Sequence, residues 1–230
     1  MPTTPHIARA ALHHWEEPVI SGTQGSGAVF FSGCALRCVF CQNHEISTDC
    51  FGEAVSVERL REIYAALIAQ GAHNINLVTA SHFAPWVVQS LSPALPIPVV
   101  WNCGGYESAE ILSMLAGKVQ VYLPDLKYAD NALAAKLSAA PDYFEVATAA
   151  IAEMHRQVGD CVMEDGLLKR GVVIRHLVLP GQLENTRRVT ASEYRAAAAY
   201  MENCGIVDGF LQERTAAKEE YTPPFDLTGV

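Results

Sequence analysis

Five short apolar runs recur along the chain with room for a helix after most of them, and this alternation restricts the fold more than any other feature. The runs are Gly27–Ser32, Asn74–Val78, Ile97–Trp101, Val119–Leu123 and Gly171–Leu179, the last closed by Pro180-Gly181. Between the first two, Val57, Leu60, Ile63, Tyr64, Leu67 and Ile68 return at helical spacing, and Gly71 is a stop signal. Further helices are predicted near Phe83 to Leu91, from about Glu107 to Leu115, and in the alanine-rich stretch Asp130 to Val158. Thr190-Ala-Ser-Glu193 reads as a capping box that opens a last helix, to about Asn203. Strands alternating with helices predict an α/β fold whose parallel strands come from βα units. Without repeats, low-complexity tracts or linkers, residues 1–230 read as one domain with a core of about 27–189 and a C-terminal helix and tail over 190–230.

Composition narrows the function classes. The 230 residues carry 16 Lys and Arg against 25 Asp and Glu, a formal charge of −9, which disfavours nonspecific binding to nucleic acid or anionic membrane. No stretch approaches the ~20 apolar residues of a membrane span. Met1–His6 has neither a basic segment nor a hydrophobic one, so a cytoplasmic protein is expected, with no nucleic-acid or membrane partner. Seven cysteines, an odd number in a chain of this length, argue against a disulfide framework.

Three of those cysteines, Cys34, Cys38 and Cys41, form a C-x3-C-x2-C run directly after the first predicted strand. Offsets of four and seven residues place the sulfurs within roughly 60° of arc on a loosely helical loop. Such a loop can offer three thiolates to a four-iron cluster and leave one iron without a protein ligand, where most clusters take four cysteines. A Cys3His zinc site completed by His44, or by Cys50 in its place, is the alternative. Cys50, Cys103, Cys161 and Cys204 are scattered and read as buried apolar residues. Because the cysteine loop follows strand one, the chemistry belongs at the C-terminal strand ends, which favours a partial (βα) barrel over a doubly wound sheet.

Together, Arg9–Pro18, Ile20-Ser-Gly22, Gly25-Ser-Gly27 and Cys38-Val-Phe-Cys-Gln-Asn43 resemble the PflX-like group of radical S-adenosylmethionine (SAM) proteins, relatives of the pyruvate formate-lyase activating enzyme. Asn102, Asp125-Leu-Lys127, Leu179–Asn185 and Glu219–Pro224 fit the same group. The resemblance implies a partial (βα) barrel of the radical SAM type and a [4Fe-4S] cluster on Cys34, Cys38 and Cys41. It also implies SAM on the open iron, and an oxidoreductase that makes a 5'-deoxyadenosyl radical to abstract hydrogen. A one-electron donor such as flavodoxin or ferredoxin is implied as a partner, and a glycyl radical enzyme is a candidate protein substrate. Two departures stand out. Longer members begin with a further cysteine-rich segment, and the family pattern leads one to expect another helix and strand between Asn185 and Thr190, so one βα unit is expected to be missing.

The resemblance places Phe40 against the adenine, although an apolar plug under the loop suits it as well. Thr79-Ala-Ser-His82 stands where many radical SAM proteins carry a Gly-Gly-Glu motif. Thr79 and Ser81 share strand parity and can receive the SAM ammonium, while His82 suits helix capping or packing equally. Asn102, ahead of Gly104-Gly105, is a SAM contact or a turn former. Asp125 and Lys127 share one face of strand four, pointing into the barrel or into solvent. Arg175 and His176 face opposite sides of strand five. The family points to Arg175 for the SAM carboxylate and leaves His176 structural. Glu16 and Glu17 read as surface charge.

Overall fold

The structure, a computed structural model, describes residues 3–190. The chain opens with strand β1 (His6–His13), a single helical turn α1 (Pro18–Ser21) and β2 (Ser26–Phe31). The cysteine loop follows, with a short α2 (His44–Ser47) and a two-residue β3 (Glu53–Ala54). Then α3 (Val57–Ala69), β4 (Ile75–Val78), α4 (Ala84–Ser90), β5 (Val99–Cys103), α5 (Ala109–Leu115) and β6 (Val121–Pro124) alternate. Helices α6 (Asn131–Ser138) and α7 (Tyr143–Val158), strands β7 (Val162–Glu164) and β8 (Leu167–Val172), and α8 (Leu183–Thr190) complete the described chain.

The fold is α/β, built on one mostly parallel eight-stranded sheet in the order β3-β1-β2-β4-β5-β6-β8-β7. Strands β2, β4, β5, β6 and β8 are parallel to their neighbours. At the two ends, β1 runs antiparallel to β2 and β3, and β7 antiparallel to β8. From β2 to β8 the parallel strands step in one direction. A doubly wound sheet would reverse direction partway, and none of the described parallel strands does so.

Local sequence explains the helices. Ser56 caps α3 by accepting the Arg59 N–H at 3.1 Å, and Ser108 caps α5 by accepting that of Ile111 at 3.2 Å. Helix α3 then buries Val57, Leu60, Ile63, Tyr64 and Leu67, the stripe that the periodicity predicted. Leu60, Ile63, Tyr64 and Leu67 join Phe31, Leu77, Trp101 and Tyr122 of the sheet in the largest core, shared with α4, α5 and α7. Each fully buried Leu there contributes about 2 kcal/mol relative to exposure. Central strands β5 and β6 are buried at every position, hence runs that are apolar but for Asn102.

The opposite face of the sheet is smaller and partly polar. Ala28, Asn76, Val100 and Val121 stand in register across it, followed one step outward by Phe30, Val78, Asn102 and Leu123. Helix α1 covers its lower part with Ile20, fully buried against Val100, Val121, Leu123 and Leu168. A third core, of Leu36, Leu126, Tyr128, Tyr143, Ile151 and Val189, lies beneath the cysteine loop.

Several boundaries differ from the sequence reading. The fifth run is strand only to Val172, and beyond it Arg175 alone makes an isolated parallel bridge to Asp125. Thr190, expected to cap a following helix, is itself the last described residue of α8, and Leu183–Thr190 closes on the third core through Val189. The expected helix to Asn203, Cys204 and the Glu219–Pro224 tail lie outside the described residues. No helix among the described residues is long and apolar enough to cross a membrane.

Candidate functional site

The cysteine loop leaves the C-terminal end of β2 through Gly33, whose φ of 89° is a left-handed value that glycine adopts without strain. Leu36, 4% exposed, anchors the loop in the third core. The last carbonyls of a helix lack intrahelical partners. Those of α6 are taken up by the loop, with Arg37 N–H donating to Ser138 O at 3.1 Å and Val39 N–H to Leu137 O at 2.9 Å. Two hydroxyls reach the thiols directly. Ser138 Oγ donates to Cys38 Sγ at 2.9 Å, and Ser47 Oγ donates to Cys41 Sγ at 3.2 Å.

Cys34, Cys38 and Cys41 are all half-buried and free of disulfides. Burial pushes the Cys34 thiol up to about 11 and raises that of Cys38, with the Ser138 bond and the Lys127 charge opposing the rise at Cys38. The three sulfurs feel one another's charge, yet among the described residues no three His, Cys, Asp or Glu side chains converge where one metal ion would be held. Exposed His44 turns Nδ1 toward Asp49 at 3.5 Å.

Near the loop, the polar part of the smaller sheet face forms a connected network around Arg175. Backbone pairing fixes the residue, since Arg175 N–H donates to Pro124 O and Leu126 N–H to Arg175 O. Its Nε donates to Asp125 Oδ1 at 3.0 Å, one terminal nitrogen to Glu16 Oε1 at 3.0 Å and the other to Asn102 Oδ1 at 2.6 Å. Glu16 Oε2 also accepts from Asn76 Nδ2 at 2.9 Å and Asn102 Nδ2 at 3.3 Å. Lys127 pairs with the other oxygen of Asp125. Burial pushes Asp125 up, but the Arg175 and Lys127 cations outweigh it and hold the carboxyl below its ordinary value. Glu17 sits above its ordinary value, raised by burial and by Glu16 against the pull of Arg175, and its Oε2 is buried without a hydrogen-bond partner.

Tyr143 ties this network to the loop after β5. Its hydroxyl accepts the Lys127 N–H at 2.9 Å and faces the carbonyls of Gly104 and Asp125, both at 2.8 Å. Gly105, at φ 79°, approaches so closely that a Cβ there would overlap Asp125 O.

Asn102, Asp125, Lys127 and Arg175 thus meet in one network, with Lys127 linking it to the cysteine loop. Phe40 packs its edge on Tyr128, with ring centres 6.5 Å apart. Thr79 follows β4 with φ 59°, a strained value for a β-branched residue, and its N–H donates to Asn102 O at 2.8 Å. Ser81 goes elsewhere, giving its proton to Glu107, a buried carboxyl pushed up to about 7 by burial. His82 and His176 are packing residues. The first meets Ser32 O at 2.7 Å. His176 Nδ1 faces the Leu126 carbonyl, which only accepts, so Nε2 receives the Thr186 hydroxyl at 3.0 Å.

Two readings need correction. Glu16 and Glu17 are not surface charge, as their side chains are 11% and 24% exposed and both face Arg175. The signal was the acidic pair immediately before Pro18, where a helix begins that buries Ile20 and Ser21 and so carries its leading residues inward. Cys50 and Cys161 are half-buried, and of the described scattered cysteines Cys103 alone is buried. Ser138 and Tyr143 had no signal, since their partners lie 100 and 39 positions away.

No protein-family model matches the chain. Among curated proteins it is 32% identical over 183 residues to an uncharacterized protein of Methanocaldococcus jannaschii. The match takes in 75% of this chain and 49% of that protein, so the chain spans about half the length of the relative it matches.

Proposed function

We propose that the chain is a radical SAM oxidoreductase of the PflX-like group, a partial (βα) barrel with one βα unit fewer than the family pattern. The observation that carries the reading is the cysteine loop. Three half-buried thiols leave a parallel strand at its C-terminal end, beside the cation of Lys127. The one-directional order of the parallel strands is what a barrel needs.

The donor set fits a four-iron cluster better than a single ion. Zinc would need its ligands gathered about one point, at about 2.3 Å from each sulfur. In a cluster each thiolate takes a different iron, so neighbouring sulfurs need not converge. Cys34, Cys38 and Cys41 would hold a [4Fe-4S] cluster, which would supply the electron for cleavage of SAM to methionine and a 5'-deoxyadenosyl radical able to abstract hydrogen from a substrate. Lys127 opposes the negative charge of the thiolates. Phe40 offers the adenine an apolar face. Arg175 spends three of its five N–H donors on Glu16, Asn102 and Asp125, leaving two for the SAM carboxylate. Thr79 retains oxygen lone pairs for the ammonium, while Ser81 is engaged with Glu107. A flavodoxin- or ferredoxin-like donor and a glycyl radical enzyme as protein substrate belong to the same proposal.

Anaerobic reconstitution tests it. The parent should bind about four irons, absorb broadly near ~400 nm, and form 5'-deoxyadenosine from SAM and a reductant. Single Ala substitutions at Cys34, Cys38 or Cys41 should remove most of the iron. His44→Ala, and Ala at Cys50, Cys103 or Cys161, should not. One zinc per chain, lost in His44→Ala, would overturn the proposal in favour of a Cys3His site.

A further inference from the structure

We infer that Ser138 and Ser47 are tuning residues, whose hydroxyls raise the reduction potential of the cluster by donating hydrogen bonds to two of its three thiolates. The inference rests on the proposed cluster. Its grounds are the 2.9 Å bond from Ser138 Oγ to Cys38 Sγ and the 3.2 Å bond from Ser47 Oγ to Cys41 Sγ. These donors come from two different elements, the C-terminal end of α6 and the last residue of α2.

The Ser138 hydroxyl is fixed in direction, while that of Ser47 has the His44 carbonyl at 3.5 Å as a second, longer acceptor. Ser138 is 1% exposed, and its oxygen lies 2.6 Å from the Tyr128 hydroxyl. With the Ser138 proton committed to Cys38, Tyr128 must donate to Ser138, which makes a directed chain from Tyr128 through Ser138 to the sulfur. Tyr128 is itself held by edge contacts with Phe40 and Tyr143. The backbone bonds from Arg37 and Val39 to the end of α6 keep the loop and Ser138 in register. Ser47 is half-buried, and the bond from Gly33 N–H to Ile46 O at 2.8 Å holds α2 against the loop.

The sign follows from charge. Reduction adds one electron to the cluster, with no bond broken and no proton moved, and the added negative charge is shared by the thiolates. A donor aimed at a sulfur therefore stabilises the reduced form more than the oxidised form and raises the potential. The electron comes from a low-potential flavin or iron–sulfur protein, and in the test from dithionite.

Redox titration of the reconstituted protein, followed by electron paramagnetic resonance, gives the potential without reference to activity. Ser138→Ala and Ser47→Ala should each retain the parent's iron content. Each should lower the equilibrium constant for reduction roughly tenfold, the order expected of a hydrogen bond to a charged acceptor, or about 59 mV for a one-electron couple. Ser47→Thr keeps the hydroxyl and should restore the parent potential. Tyr128→Phe should shift the potential in the same direction by a smaller amount. If Ser138→Ala fails to fold, the half-buried Ser47 position decides the matter alone. An iron-loaded parent whose potential is unmoved by these substitutions overturns this inference and leaves the cluster in place. A parent that takes up no iron overturns the proposed function, and the inference with it.

Discussion

Replacing Arg175 with Met keeps an unbranched apolar stem and removes every donor that joins Glu16, Asn102 and Asp125. Taking one partner from a buried ion pair costs about 3–5 kcal/mol, because the remaining charge stays buried. The side chains of Arg175, Glu16 and Asp125 are 25%, 11% and 20% exposed, so water reaches the site in part. The lower end applies, about 3 kcal/mol at pH 7. Against a typical domain stability of 5–15 kcal/mol the variant stays folded. In the parent, Asp125 is held below its ordinary value, and its stabilising contribution is present above the unfolded pKa and lost as pH falls through the folded one. In the variant, Asp125 keeps only the Lys127 cation and burial acts on Glu17 without the Arg175 charge. Both carboxyls then bind protons more readily than in the folded parent, so acidification costs the variant less. The gap between parent and variant should therefore narrow from pH 7 to about pH 5. Urea unfolding of the metal-free, reduced proteins at both values measures it, with unchanged m-values as the control. A loss under about 1 kcal/mol at pH 7, or a gap that widens on acidification, would refute the reasoning.

Glu107→Gln should flatten the pH dependence of stability. The parent carboxyl, pushed up to about 7 by burial, keeps its proton in the folded state between about pH 4.5 and 7 while the unfolded state releases it, so stability falls across that window; urea midpoints at several pH values show whether the slope disappears. Tyr143→Phe leaves the Lys127 N–H without its acceptor and should cost about 1–3 kcal/mol by the same unfolding measurement, with an unchanged midpoint counting against the hub. Gly105→Ala combines a left-handed φ with a clash on the Asp125 carbonyl and should cost about 3 kcal/mol or more in thermal or urea unfolding, where a cost below 1 kcal/mol would show that the loop yields.

The parallel sheet was readable because strands buried on both faces keep apolar residues at most positions, as at Val99–Cys103, where Asn102 is the one polar residue. Helix α3 was readable from its cap and its stripe. Strand β1 was missed because His6–His13 mixes two histidines, an arginine and small alanines, and its pairing shifts register between Ile7 and Arg9. The overlong fifth strand has a similar origin. Val173–Leu179 is as apolar as the strand before it, but the neighbouring β6 ends at Pro124, and beyond that only Asp125 offers a bridge. Parity placed Asp125 with Lys127, and Arg175 opposite His176, because alternation survives wherever the backbone stays extended. Ser81 escaped that rule because Thr79 turns the chain through a left-handed φ and Ser81–Phe83 is a 3-10 turn. Glu16 was invisible for another reason. Its partners lie 60, 86 and 159 positions away, and no local pattern encodes contacts at such range.

The cysteine loop rests on a helix that begins more than ninety residues after it, and this sets an order of events during synthesis. Cys38 and Ser138 stand 100 positions apart. At about 5–20 residues per second, the ribosome releases the thiols about 5–20 s before their support exists. Through that interval Leu36 has no Tyr143 to pack on, and the Arg37 and Val39 N–H groups have no carbonyls to meet. The nascent thiols are open to oxidants and to stray metal ions, and α6 closes that window by ordering the loop.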